Sequence, residues 1–261
     1  MSAQAQTPFR RALRSFLEQR TARVGLTLLL ILITAALGAD VFASYSPIDV
    51  LIDKEPGAIR LAGPCINALG CEGPQHIFGL DNNVRDVFAR VLHGARLSLQ
   101  VGFLTVGFAI VLGSLIGAVS GFVGGWVDNL FMRIMDVLLA FPSLLLAIAI
   151  VTVIGPGLIN TQLAIGIVAI PIYARVMRAS VLGLRDREFV AASRALGASE
   201  ASILFRKILP NALTPSIVQG TLGIGGAILD VAALSFLGLG AQPPTAEWGS
   251  MIGGDRNLLF S

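Results

Sequence analysis

LSLQVGFLTVGFAIVLGSLIGAVSGFVGG, residues 97–125, carries no charged side chain and places glycine at Gly113, Gly117, Gly121 and Gly125. About 20 apolar helical residues cross the roughly 30 Å of hydrocarbon in a bilayer. Glycines four apart fall on one helix stripe, where missing side chains let a second backbone approach closely. The stretch reads as a membrane-spanning helix with one packing face. The alternative is a glycine run facing lipid with no partner.

Four similar runs lie outward of it. With this span at 97–120, the others fall at 24–43, 137–155, 160–180 and 213–238. The whole chain agrees: 54% of its 261 residues are hydrophobic and 13% charged, against about 25% charged in a soluble domain. The first run is too long for the apolar core of a signal peptide, and no small-residue cleavage site follows it. Ahead of it, residues 8–20 are amphipathic, with Phe9, Leu13, Phe16 and Leu17 on one face and Arg10 and Arg14 elsewhere. Residues 1–23 thus read as an arm lying on the membrane lipid.

Charge placement orients the chain. The net charge is only +3. Basic residues gather in the arm (Arg10, Arg11, Arg14, Arg20, Arg23) and in 175–207 (Arg175, Arg178, Arg185, Arg187, Arg194, Arg206, Lys207). Both clusters abut apolar spans, which assigns them to cytoplasmic loops and not to nucleic-acid binding. The intervening 44–96 segment is acidic on balance and falls outside, ending in a short amphipathic helix that bears His93, read as a solvated loop histidine. Cys65 and Cys71 lie in this segment, and an oxidising compartment favours a small disulfide-closed loop over two free thiols.

Catalytic chemistry is missing from the pattern. Lys54 and Lys207 lack the glycine-rich lead of a phosphate loop, there is no HExxH, and two histidines with two separate cysteines make no metal centre. We expect no catalytic, cofactor-binding or metal site on this chain. One intramembrane carboxylate stands out. Asp230 in the fifth span lines a substrate path, forms a packing contact, or couples protons.

The segment RDREFVAASRALGASEASILFRKILPNALTP, residues 185–215, is too polar to cross a membrane. Phe189, Val190, Ala192 and Ala195 give a short helix with an apolar side. Gly197 permits a sharp reversal, and Ser199 caps a second helix with Glu200 in its first turn. Pro210 and Pro215 bracket the return to the bilayer. Such a helix–glycine–helix is either a docking knob or an ordinary ordered loop.

The segment resembles the EAA loop of binding-protein-dependent ABC importer permeases: Gly197, Leu209 and Pro210 match, while the Glu-Ala-Ala triplet is replaced by Ala191-Ala192-Ser193, with Glu188 one turn earlier. Arg85, Asp86, Gly94, Ala95, Arg96 and Ser98, then Asp136 and Pro142, then LSFLGLGAQPPTAEWGSMI (residues 234–252), are similar to the C-type subunits of the dipeptide/oligopeptide/nickel permeases. A glutamate usual in that group stands as Val231 here, beside Asp230.

The resemblance implies an all-α polytopic membrane protein, a type I ABC importer transmembrane domain in the bacterial inner membrane. It implies a permease for dipeptides or oligopeptides, itself no enzyme, that forms half of a translocation path. Its expected partners are a B-type permease, two ATPase subunits that hold ATP and magnesium, and an extracytoplasmic peptide-binding protein. Within the permease core at 97–261, the loop at 185–212 would meet the ATPases through Arg187, Glu188, Ala191, Ala192, Ser193, Arg194, Gly197, Ala198 and Ser199. The family pattern also has a sixth span after residue 252, and the sequence stops at Ser261 before one can form. Alternatives are a nickel, glutathione or other small-solute permease of the same group, or a proton-coupled carrier using Asp230.

Overall fold

The structure is a computed structural model that describes residues 16–256 and 258. The arm expected at 1–23, with its amphipathic stretch at 8–20, lies outside the described residues as far as residue 15. Among the described residues there are helices and isolated bridges but no strand. Four helices are long and apolar enough to cross a bilayer: Arg20–Leu37, Val87–Val123, Leu158–Leu184 and Glu200–Phe236. A pair bent by 93° brings the number to five if it counts as one span. The chain divides between Arg96 and Leu97 into two units.

The first unit begins with α1 (Arg20–Leu37). The hydroxyls of Thr27 and Thr34 donate to the carbonyls of Arg23 (2.9 Å) and Leu30 (2.8 Å), so both polar groups are satisfied inside the helix, as lipid requires. The expected span at 24–43 is not continuous. It breaks at Gly38, and a four-residue α2 (Ala39–Phe42) follows. The Phe42 ring occupies the space a side chain at 38 would take, so only glycine allows this bend.

Residues 43–86 are irregular but built around buried charge. His76, 6% exposed, lies between Asp86 (2.8 Å) and Glu55 (3.0 Å). The Arg85 guanidinium donates to Asp81 (2.9 Å), and Arg90 donates to the Pro47 carbonyl (2.9 Å). Asp86 also accepts from the Ala89 amide (2.6 Å), capping the helix that follows. Cys65 and Cys71 are joined as a disulfide with Cα atoms 5.5 Å apart. That helix, α3 (Val87–Val123), runs 37 residues without interruption, so the short helix expected ahead of the second span is its first turns. His93 is not free in solvent: its ring contacts the Ala89 carbonyl (2.9 Å) and Asp40 (3.2 Å). The Arg96 guanidinium bonds Asp40 and holds its carboxyl below the usual carboxylate range, with His93 adding to the effect.

In the second unit, α4 (Gly125–Leu139) and α5 (Ser143–Ile154) meet at the 93° bend. The span expected at 137–155 is therefore not one continuous helix but breaks between Leu139 and Ser143. Pro142 has no amide hydrogen, and its ring drives Phe141 out of the helical region, so α4 must stop short of it. Next come α6 (Leu158–Leu184), α7 (Glu188–Ala195) and the single turn α8 (Glu200–Ile203). A π-turn (Leu204–Ile208) leads into α9 (Leu209–Phe236), and α10 (Trp248–Asp255) ends the unit. Pro210 and Pro215 do not interrupt the helix: Pro210 follows the π-turn at the start of α9, Pro215 lies inside it, and the Asn211 side chain donates to the Lys207 carbonyl (2.6 Å).

Leu222 and Leu229 are each 72% exposed and Val153 85%. That outward apolar surface suits lipid. Inside, Val101, Val151, Ile165, Val231 and Leu234 form one apolar cluster joining α3, α5, α6 and α9. The glycine stripe is the tightest contact: side chains at Gly113, Gly117 and Gly121 would strike the α6 backbone at Ile170, Ala174 and Arg178. Gly125 is not part of it. Gly124 turns the chain at φ 71°, and nothing lies within 4 Å of a side chain at 125. Two ion pairs join α4 to α6: Arg178 grips Asp128 with both contacts at 2.5 Å, Ser120 adds a further bond to Asp128, and Arg175 meets Asp136 at 2.5 Å.

Two outcomes follow from this packing. Gly117→Leu must force α3 and α6 apart and destabilise the protein by about 1–3 kcal/mol or more, read as a lower thermal midpoint in nanodiscs. Gly107→Ala, whose added Cβ meets nothing within 4 Å, should leave the midpoint in place. In the first unit the Tyr45 phenol is pushed up to about 12, chiefly by burial and then by its bond to Glu55. That lies above the unfolded value of about 10, so its stabilising contribution is whole below pH 10 and is lost as pH rises through about 12. Phenolate absorbance of a Tyr173→Phe variant, which keeps Tyr45 alone, checks this midpoint.

Candidate functional site

The polar excursion between α6 and α9 folds as a hairpin with its own lock. Glu188 begins α7, where the helix dipole favours a carboxylate, and Arg194 stands in its last turn. Gly197 then takes φ +82°. Its amide donates to the Arg194 carbonyl (2.9 Å), and the Ala198 amide donates to Ser193 (3.1 Å), so the freed carbonyls of α7 are capped. The Ser199 hydroxyl accepts from the Ser202 amide at 3.4 Å, a long cap for α8. Across the turn the Arg194 guanidinium donates to both Glu200 oxygens (2.8 and 3.0 Å) and lies 6.0 Å from the Phe122 ring centroid.

The hairpin is anchored on one side only. Val190, Ile203, Leu204 and Ile208 are buried against Ala118 of α3, Met177 and Val181 of α6, and Ala212 of α9. Arg185 adds a bond to the Gly121 carbonyl (3.0 Å). The opposite side is open. Arg187, Glu188, Ala191, Ala192, Arg194, Gly197, Ala198 and Ser199 are all exposed, and Ser193 is half-buried. At the tip Leu196 is 88% exposed. Ala191, which holds the place of the missing glutamate, is on the open side. Glu188, three residues earlier, shares its face.

Asp230 does not belong to this group. It lines a cavity of about 200 Å³ between α3, α5, α6 and α9, whose polar contributors are Thr105, Ser143, Tyr173, Gln219 and Asp230. Asp230 is half-buried there, whereas the adjacent Val231 is 1% exposed in the apolar cluster.

Residues 109–256 match the model of the binding-protein-dependent transport system inner membrane component. The chain belongs to that family. Residues 7–64 match a second model, the N-terminal transmembrane domain of oligopeptide transport permease C. The dipeptide transport system permease protein DppC of Alkalihalophilus pseudofirmus is 45% identical over 257 residues, 98% of this chain and 80% of the relative. The di/tripeptide transport system permease protein DppC of Pseudomonas aeruginosa is 43% identical over 97% of this chain and 81% of its own. The glutathione transport system permease protein GsiD of Escherichia coli is 40% identical over 95% and 78%. Among solved structures, an inward-facing MetNI methionine ABC transporter chain matches with a TM-score of 0.55 at 18% identity, covering 66% of this chain and 82% of that one. The shared fold is that of an ABC importer transmembrane domain, and the permease is a multi-pass inner-membrane protein.

Sequence reasoning placed the hairpin residues together. It missed the cavity neighbours of Asp230 and the ion pairs of Asp128 and Asp136. Arg175 and Arg178, one helical turn apart, were a usable signal for those pairs but read only as loop charge.

Gly197→Val forces a branched side chain into a left-handed backbone at a cost of about 1–2 kcal/mol. Amides of residues 188–204 should exchange about tenfold faster, measured by hydrogen exchange. Gly183→Ala, with open space around it, is the neutral comparison.

Proposed function

We propose that this permease carries dipeptides or short oligopeptides inward as half of a translocation path, paired with a related B-type permease. Two ATPase subunits holding ATP and magnesium would dock on the 188–199 hairpin, and a peptide-binding protein would deliver solute on the side of residues 44–96. The exposed, internally locked hairpin carries this reading. Its ends run directly into α6 and α9, and its buried face rests on both, so a push on its tip is delivered to helices that line the cavity. ATP binding draws the ATPases together, the hairpin follows, and the bundle changes the side to which it opens. The energy is the difference in nucleotide and binding-protein affinity between the two states. The identities of 45% and 43% to proteins named for dipeptides and di/tripeptides support the substrate class. Glutathione, itself a tripeptide, is the second reading, favoured by the 40% identity to GsiD.

Leu196→Asp and Arg187→Glu change only the exposed side of the hairpin. Copurification of the ATPases should fall at least about tenfold, about 1.4 kcal/mol of lost binding, and uptake of labelled dialanine should fall with it. Undiminished copurification and uptake would overturn the coupling role. Labelled glutathione taken up in preference to dialanine would move the substrate to the second reading.

A further inference from the structure

The cavity beside Asp230 is electrostatically one-sided. Its lining holds one carboxylate and no lysine, arginine or histidine. The first turn of α5, at Ser143 and Leu144, borders the same space, but a helix terminus supplies only about half an elementary charge. The wall therefore keeps a net negative balance. Thr105 is 2% exposed, and its hydroxyl has no hydrogen-bond partner. A helical threonine ordinarily back-bonds to a carbonyl one turn earlier, and this one, in the cavity lining, does not. Room for a partner is cut into α9. Gly226 stands one turn before Asp230 on the same face, and a side chain built there would meet no atom within 4 Å.

We infer that this cavity is a subsite for a protonated primary amine on the transported solute, the ammonium paired with the Asp230 carboxylate. A largely apolar wall strengthens that attraction several-fold over bulk solvent, and the same carboxylate repels an anionic group. Leu144, Ile165 and Ile172 cover the hydrocarbon next to the amine. The inference rests on the peptide-importer reading, since the amino terminus of a dipeptide is such an amine.

The test uses the assembled permease–ATPase complex in nanodiscs without binding protein, with dialanine and N-acetyl-dialanine as probes. Dialanine should bind saturably. Asp230→Asn should weaken it about ten- to a hundredfold, Asp230→Glu should restore most of the loss, and the acetylated probe should bind weakly to wild type and be little changed by Asp230→Asn. Gly226→Leu puts a bulky side chain where an added Cβ meets no atom within 4 Å and should abolish binding, so the test survives if Asp230→Asn fails to assemble. Equal affinity of wild type and Asp230→Asn for dialanine, equal affinity of wild type for both probes, or no saturable binding by about 10 mM would each overturn the subsite. Dialanine uptake by the complete wild-type transporter separates the two levels. If it is absent, the importer reading falls; if it is present and Asp230→Asn matches wild type, only the subsite falls.

Discussion

Helices α3 and α6 touch backbone to backbone where Gly113, Gly117 and Gly121 face Ile170, Ala174 and Arg178. In lipid there is no hydrophobic gain in bringing two apolar helices together, so such contacts rely on dispersion at short range. Glycine is what makes the range short. The rest of the second unit is arranged around that contact. The Asp128–Arg178 and Asp136–Arg175 pairs set α4 against α6. The cavity opens on α6 between Ile165 and Tyr173, and the hairpin rests on α6 at Met177 and Val181, so each overlaps one end of the seam.

The hairpin seat and the cavity share α6. Met177 and Val181 belong to the cluster that seats the hairpin, whereas Ile165 and Tyr173 belong to the cavity lining. Both ends are carried by one 27-residue helix, which holds Pro171 in its interior and packs against α3 through the glycine contact. The Gly197 turn is capped, the Arg194–Glu200 pair closes it, and the buried side of the hairpin rests on α6 and α9.

Much of this was legible in the sequence, and the reasons differ by element. The spans were read from apolar run length, and the seam from a glycine spacing that has few other uses. The hairpin was legible because Gly197 and Ser199 act locally, through a left-handed turn and a cap. What was not legible depends on contacts distant in sequence. No period in the chain links Asp128 to Arg178, and nothing in the run from Thr214 to Phe236 reveals that Asp230 shares a cavity with Thr105. The bend in the third span was missed for a local reason that apolar run length ignores, since one proline at 142 barely alters the hydrophobic average of the run.

The elbow at Pro142 also sets a condition on the surrounding lipid. At 1.5 Å per residue, α4 is about 22 Å long and α5 about 18 Å, and neither alone spans the roughly 30 Å of a bilayer interior. Leu145 and Val153 on the short arm are 61% and 85% exposed. Acyl chains beside that arm must compress, or another protein must cover it, and each ångström of mismatch carries a small free-energy cost. Membrane thickness thereby becomes a physical variable of the folded state, acting on the arm whose first turn walls the cavity.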